Sequence, residues 1–179
     1  MLIVISSNHA QQKGPTPMHL DGSCHCKSVR FSVQSSNPVP YQLCYCEICR
    51  KTAGSGGFGI NLGAKFETLK VEGAKHIRVY VASFVDSETG EMTKSSGERS
   101  FCGKCGSALW LWDPNWPKLV HPHASAIDTP LPVPPERTHL MLGSKANWVV
   151  PVIEAVDRSH DVYPEESIAE WHKRLKLNY

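Results

Sequence analysis

Seven cysteines fall into three groups along the chain: Cys24 and Cys26, then Cys44, Cys46 and Cys49, then Cys102 and Cys105. Thiols bunched at such spacings ask for a metal ion, and groups that share one ion must meet in space however far apart they lie in sequence. No other feature constrains the fold so tightly. In Cys102-Gly103-Lys104-Cys105-Gly106 the glycines permit a tight turn that aims two sulfurs and the backbone amides at one point. Cys24-His25-Cys26 chelates as well if its turn bends both sulfurs to the same side. Soft thiolates select zinc over the hard divalent ions. A structural zinc takes four ligands, so seven divides into four and three. The pairs Cys24/Cys26 and Cys102/Cys105 complete one closed site. Cys44, Cys46 and Cys49 form a second group with one coordination position to spare. Open sites are the catalytic kind, whereas a trio completed by His25 or Glu47 is a second staple. Valence alone leaves both readings standing.

So many cysteines in a secreted chain would suggest disulfides. Here MLIVISS at the start lacks a basic segment and is too short for the apolar part of a signal peptide. The expectation is therefore metal, as two zinc ions, and a cytoplasmic location. With 179 residues, 41% of them hydrophobic, and a mean hydropathy of −0.28, the composition suits a soluble globular chain with one sizeable core. A net charge of +2 without clustered basic residues is not the footprint of a nucleic-acid binder. No apolar run approaches the roughly 18 residues that cross a bilayer. The expected partner is a small molecule, with neither nucleic acid nor membrane.

In KSVRFSV, Val29, Phe31 and Val33 alternate with polar residues, and in HIRVYVASF so do Ile77, Val79 and Val81; both predict half-buried strands. SALWLW and THLMLG are shorter strand-like runs. Turn signals at Asn37-Pro38, in GSGGFG and in DSETG separate them, which argues for antiparallel β structure. The proline-rich stretch 113–137 predicts an ordered surface loop over a site. PEESIAEWHKRLKL predicts a helix with Pro164 in its first turn, acidic residues at its start and basic ones at its end. Ile168, Trp171 and Leu175 share its apolar face. The expected layout is a flexible lead-in over 1–19, a zinc-binding catalytic domain over 20–155 and a C-terminal extension with a helix over 156–179. Met18 can already belong to the folded part.

GSCHCKSVRFSV, CYCEICRKTAGSGG and RSFCGKCGSALW, followed by Ile127-Asp128 and SKANW, together resemble the family of glutathione-dependent formaldehyde-activating enzymes and centromere protein V, over about residues 20 to 150. The resemblance implies a mainly β fold, a β-tent of small antiparallel sheets stapled by zinc. It implies a structural zinc on Cys24, Cys26, Cys102 and Cys105, and a catalytic zinc on Cys44, Cys46 and Cys49. That agrees with the division by valence. It also implies a zinc-dependent carbon–sulfur lyase that condenses glutathione with formaldehyde to S-hydroxymethylglutathione, or a related small-molecule transformation in a biosynthetic pathway. The chromatin-associated branch of the family suggests the alternative, a non-enzymatic zinc module for nucleic acid or protein. Such a module wants a long basic tail, and only the end of the predicted helix is locally basic. The first 20 or so residues, much of the loop 113–123 and the C-terminal helix fall outside the family pattern.

Three thiolates on one zinc leave one net negative charge, which softens the Lewis acid and suits it to a fourth sulfur rather than to making hydroxide. A substrate thiol held there loses its proton and stays nucleophilic. Arg50 and Lys51 can attract the carboxylates of glutathione, or simply form a solvated face. GSGGFG either brings backbone close to a ligand or is a plain tight turn. His121 and His123 are candidate acid–base groups or ligands, although most histidines in polar loops are neither. Trp110, Trp112 and Trp116 read as packing for the loop. Asp128 and Lys145 match family positions with no role legible in the sequence.

Overall fold

The computed structural model of the protein describes residues 17–86 and 89–177. Most of the lead-in expected over 1–19 lies outside that range, while Met18 and His19 belong to the first strand. Strands β1 (Met18–Ser23) and β2 (Arg30–Ser35) pair antiparallel, with Leu20 opposite Val33. Strand β3 (Tyr41–Cys44) runs through the cysteine trio into helix α1 (Glu47–Ala53), and β4 (Gly59–Asn61) returns beside β3. Short β5 (Ala64–Lys65) and β6 (Lys70–Glu72) follow, then a long hairpin of β7 (Ile77–Val85) and β8 (Met92–Cys102). Next come β9 (Ala108–Trp112) and β10 (Leu119–Pro122). The stretch 113–137, expected as a surface loop, instead carries β10, whose Val120 is buried in the core between sheet partners, and after it come β11 (Arg137–Leu140), β12 (Arg158–Ser159) and helix α2 (Ile168–Arg174).

These strands form three small sheets, ordered β1-β2-β6, β5-β10-β9-β8-β7 and β12-β11-β3-β4. The first two are antiparallel. The third is mixed, because β11 arrives by a long connection rather than a hairpin and lies parallel to both β3 and β12. The fold is thus mainly β, with small, largely antiparallel sheets and a helix near the C-terminal end.

The β1–β2 hairpin and the five-stranded sheet close on each other. Leu20, Val29, Phe31 and Val33 meet Leu109, Trp110 and Val120, and none is more than 6% exposed. Each contributes about 1.5–3 kcal/mol by leaving water. The rings of Phe31 and Trp110 meet edge-on at 5.1 Å. Cys24 and Cys102 sit inside this same core. Trp110 therefore packs the core rather than the loop, Trp112 lies against Phe66 at 5.4 Å, and Trp116 is exposed. Strand β7 also departs from expectation. Val79 and Val81 are 54% and 41% exposed, because β7 is an edge strand with no second layer over it, and its buried residue is Ala82.

Helix α2 starts later than Pro164. Ser167 caps it, its hydroxyl accepting from the Glu170 amide while the Glu170 carboxylate accepts from the Ser167 amide. Trp171 is buried, as its periodicity predicts, and its indole N–H donates to Glu136 at 2.7 Å. The Arg174 guanidinium clamps that carboxylate and holds it below its usual range. A depressed carboxyl pKa stabilises the fold above the unfolded value near 4.5 and loses that contribution as pH falls below it. Glu136→Gln should cost about 1–3 kcal/mol at pH 7. Its melting temperature should drop by roughly 2–4 °C per kcal/mol. The gap to the parent should begin to narrow in melts run below about pH 4.5 and close as the folded carboxyl protonates at lower pH.

Candidate metal centres and active site

The turns after β1 and after β8 place four sulfurs together. The Lys27 amide donates to the Cys24 carbonyl at 2.9 Å, with Lys27 in the left-handed region at φ 57°. The Gly106 amide donates to the Cys102 carbonyl at 2.8 Å, and at φ 75° position 106 requires glycine. Cys24 Sγ lies 3.5 Å from Cys26 Sγ, Cys26 Sγ lies 3.8 Å from Cys102 Sγ, and all four sulfurs fall within 4.8 Å of one another. Sulfurs about 2.3 Å from one zinc in a tetrahedron stand about 3.8 Å apart, so this donor set fits the ion in both kind and spacing. The Val29 amide donates to Cys24 Sγ at 3.2 Å, and the Ser107 hydroxyl donates to Cys105 Sγ at 3.3 Å. The Ser107 bond holds the Cys105 thiol at about 5, while burial pushes Cys24 up to about 11. Asp128 gains a role that the sequence did not reveal. It accepts hydrogen bonds from Ser23 and Lys27 and so braces the turn that carries Cys24 and Cys26.

Cys44, Cys46 and Cys49 gather where β3 meets α1, also within 4.8 Å of one another. Cys46 is the N-cap of α1, and its sulfur accepts from the Cys49 amide at 3.3 Å. Among the described residues no His, Asp or Glu adds a ligand atom to the trio. Glu47 turns outward to Lys51 at 2.7 Å, and His25 lies in the other cysteine turn, where its amide donates to Ser107. The three thiols share their protons unevenly. Hydrogen bonds from Cys44 and Cys49 hold Cys46 far below the ordinary thiol range, and the same contacts drive Cys44 up. Only a cation in their midst lets all three ionise together, and three soft donors suit zinc.

A buried network stands behind the trio. The Tyr45 hydroxyl lies 3.0 Å from His139 Nδ1, and His139 Nε2 lies 3.4 Å from Asp157. With Nε2–H donating to the carboxylate, Nδ1 accepts from the tyrosine. Tyr45 lies between two of the thiols in sequence, so the network fixes the backbone that carries them. In front, residues 160–162 are sewn to the end of β11. The Met141 amide donates to Val162 at 2.8 Å, Leu142 to His160 at 3.1 Å, and the His160 amide to His139 at 2.9 Å. This brings Tyr163 within electrostatic reach of the trio. Burial and then the charges of Cys44, Cys46 and Cys49 raise its phenol, although the residue as a whole stays largely exposed. The charge of Arg99 on β8 acts on Cys49, on Tyr163 and on His123. His123 is 4% exposed, and burial, then Arg99 and His121, lower it to about 4. His121 is also lowered by burial, and its Nδ1 lies 3.1 Å from the Leu62 carbonyl.

A polar cleft of about 600 Å³ opens between the Cys24–Cys26 turn and α1, walled by Lys27, Arg50, Lys51, Thr52 and Asp128. Arg50 Nε is buried with no hydrogen-bond partner among the described residues. The glycine stretch after α1 is a tight turn. A side chain at Gly54 would strike the Phe58 carbonyl, and the Gly57 amide donates to the Gly54 carbonyl at 3.0 Å. Among the described residues no helix is long and apolar enough to cross a membrane.

The family profile described as glutathione-dependent formaldehyde-activating enzyme matches residues 19–142. A Halomonas elongata protein provisionally named glutathione-dependent formaldehyde-activating enzyme is 56% identical over 160 residues, which is 89% of this chain and 98% of that protein. Among solved structures, that of a Rhodobacter sphaeroides protein matches with a TM-score of 0.44 at 22% identity, over 64% of this chain and 92% of the other.

Proposed function

The chain belongs to the glutathione-dependent formaldehyde-activating enzyme family, and from that premise we propose that it is a zinc-dependent carbon–sulfur lyase acting on a thiol–aldehyde adduct of the S-hydroxymethylglutathione type. The observation that supports the reading is a trio of convergent sulfurs with no fourth protein ligand among the described residues, its Cys49 followed directly by Arg50 in the wall of a polar cleft. In this reading Cys24, Cys26, Cys102 and Cys105 hold a structural zinc, and Cys44, Cys46 and Cys49 hold a catalytic one. Zinc held by Cys44, Cys46 and Cys49 would supply a soft Lewis acid suited to a sulfur donor, favouring the thiolate form of a substrate thiol. The protein's own residues do the positioning. The Tyr45–His139–Asp157 network fixes the trio, and Arg50 and Lys51 meet the glutathione carboxylates from the cleft wall. Arg50 brings a guanidinium with a donor to spare. Lys51 must leave Glu47, an exposed and solvent-screened pair. The sulfur pair forms the new carbon–sulfur bond, the carbonyl π pair moves to oxygen, and that oxygen takes up the proton the thiol gave up. Cleavage is the same step reversed.

Calorimetry with reduced glutathione and with its S-methyl derivative tests the reading. A thioether cannot supply the charge, so glutathione should bind at least tenfold more tightly. Its binding should release close to one proton, counted in two buffers of different ionisation enthalpy. Its affinity should rise as pH approaches the thiol pKa of about 8.5. Equal affinities without proton release would place the substrate sulfur away from the trio.

A further inference from the structure

A second cavity, of about 270 Å³, adjoins the polar cleft, with Thr52, Tyr80, Arg99, Phe101 and His123 in its wall. It shares Thr52 and Ala108 with the larger cleft, so the two meet beside α1. Thr52 stands one helical turn beyond Cys49. His123 pairs through an isolated bridge with Asn61 on β4, whose Gly59 faces Cys44 in register. The trio and the cavity therefore share their frame. Two features mark the cavity as built for a ligand. His123 is buried, and its Nδ1 has no hydrogen-bond partner among the described residues. Such a group costs about 1–3 kcal/mol if nothing ever satisfies it. Arg99 brings a permanent positive charge whose field reaches Cys49 and His123.

We infer that this cavity is the oxygen pocket of the site: Arg99 and His123 donate hydrogen bonds to the oxygen on the carbon that joins the substrate sulfur. The inference rests on the lyase reading above. In the condensing direction the carbonyl π pair moves onto that oxygen as the carbon–sulfur bond forms, and the proton released by the thiol completes the hydroxyl. Burial keeps His123 neutral, so it offers one N–H at neutral pH and does not compete with Arg99 as a second full charge. Donors fixed where negative charge develops typically account for 10²–10³ in rate.

The test compares S-hydroxymethylglutathione, held formed by excess formaldehyde, with S-ethylglutathione, equal in length but with and without the oxygen on the carbon next to sulfur, on the full-length zinc-loaded protein. The hydroxyl derivative should bind roughly tenfold more tightly. His123→Leu should abolish that preference, His123→Gln, which keeps a donor, should retain most of it, and Arg99→Met should weaken it. Zinc content and melting temperature should stay at parental values in each soluble variant. In the condensation of glutathione with formaldehyde, His123→Leu should lower kcat about 10²-fold with little change in the KM for glutathione. Equal binding of the two derivatives by the parent protein, or a preference that survives both His123→Leu and Arg99→Met, overturns the oxygen pocket and leaves the glutathione reading intact. If neither derivative binds a parent protein that does bind reduced glutathione, the oxygen pocket is overturned alone; if reduced glutathione itself fails to bind, the glutathione reading falls and the pocket falls with it.

Discussion

Cys102→Ser protein should accumulate mostly as insoluble material, and any soluble fraction should melt at least about 10 °C below the parent, since each kcal/mol lost moves the midpoint of a chain this size by roughly 2–4 °C. The position explains the severity. Cys102 is fully buried at the end of β8, and its sulfur touches that of Cys26 in the turn after β1. Strands β1 and β8 lie in different sheets, so the four-sulfur centre ties the two walls of the main core at one edge. A structural zinc contributes apparent binding energy on the order of 10 kcal/mol, available only to the folded state. Serine removes a thiolate and leaves a hydroxyl in an apolar core. Solubility, melting curves and zinc content by mass spectrometry make the measurement. A Cys102→Ser protein that melts normally with its full zinc content would remove this assignment.

Cys46→Ser should do the opposite, sparing the fold while removing activity at least 10³-fold and one zinc in two. Cys46 is only partly buried, and the trio forms a small cluster with Leu140, apart from the main core. Its sulfur caps α1, and serine is among the best N-cap residues, so the helix start survives the exchange. The melting temperature should stay within a few degrees of the parent. If Cys46→Ser unfolds the protein as badly as Cys102→Ser does, the trio is a second staple and the lyase reading fails with it.

The four-plus-three division was legible because it needs only a count of thiols and the valence of zinc, and the sulfurs converge in those two groups. Strand β2 was legible because Phe31 and Val33 alternate toward a surface that exists. Strand β7 shows the limit of that signal. Alternation reports that one face is apolar, not that anything covers it, and among the described residues nothing covers Val79 or Val81. The parallel partnership of β3 and β11 left no local trace, because it joins segments separated by about half of the chain. The residues around the trio were hidden for the same reason. Arg99 sits in a polar strand and Tyr163 in a polar tail, and only the tertiary fold turns both toward the thiols. His123 was a candidate by residue type. Its burial, and not its neighbours in sequence, sets it apart from His121 as a donor without a partner.

The stitching of residues 160–162 to the end of β11 uses main-chain amides and carbonyls alone. Its geometry is therefore indifferent to what side chains that segment carries, while the next residue, Tyr163, lies within electrostatic reach of the thiols. The segment also lies beyond residue 142, where the match to the family profile ends. A wall held by its backbone and faced by replaceable side chains is easy to evolve. Single codon changes at position 163 can alter the charge and bulk near the thiols without disturbing the backbone bonds beneath. Selection for a new aldehyde or a new thiol would find its cheapest route there.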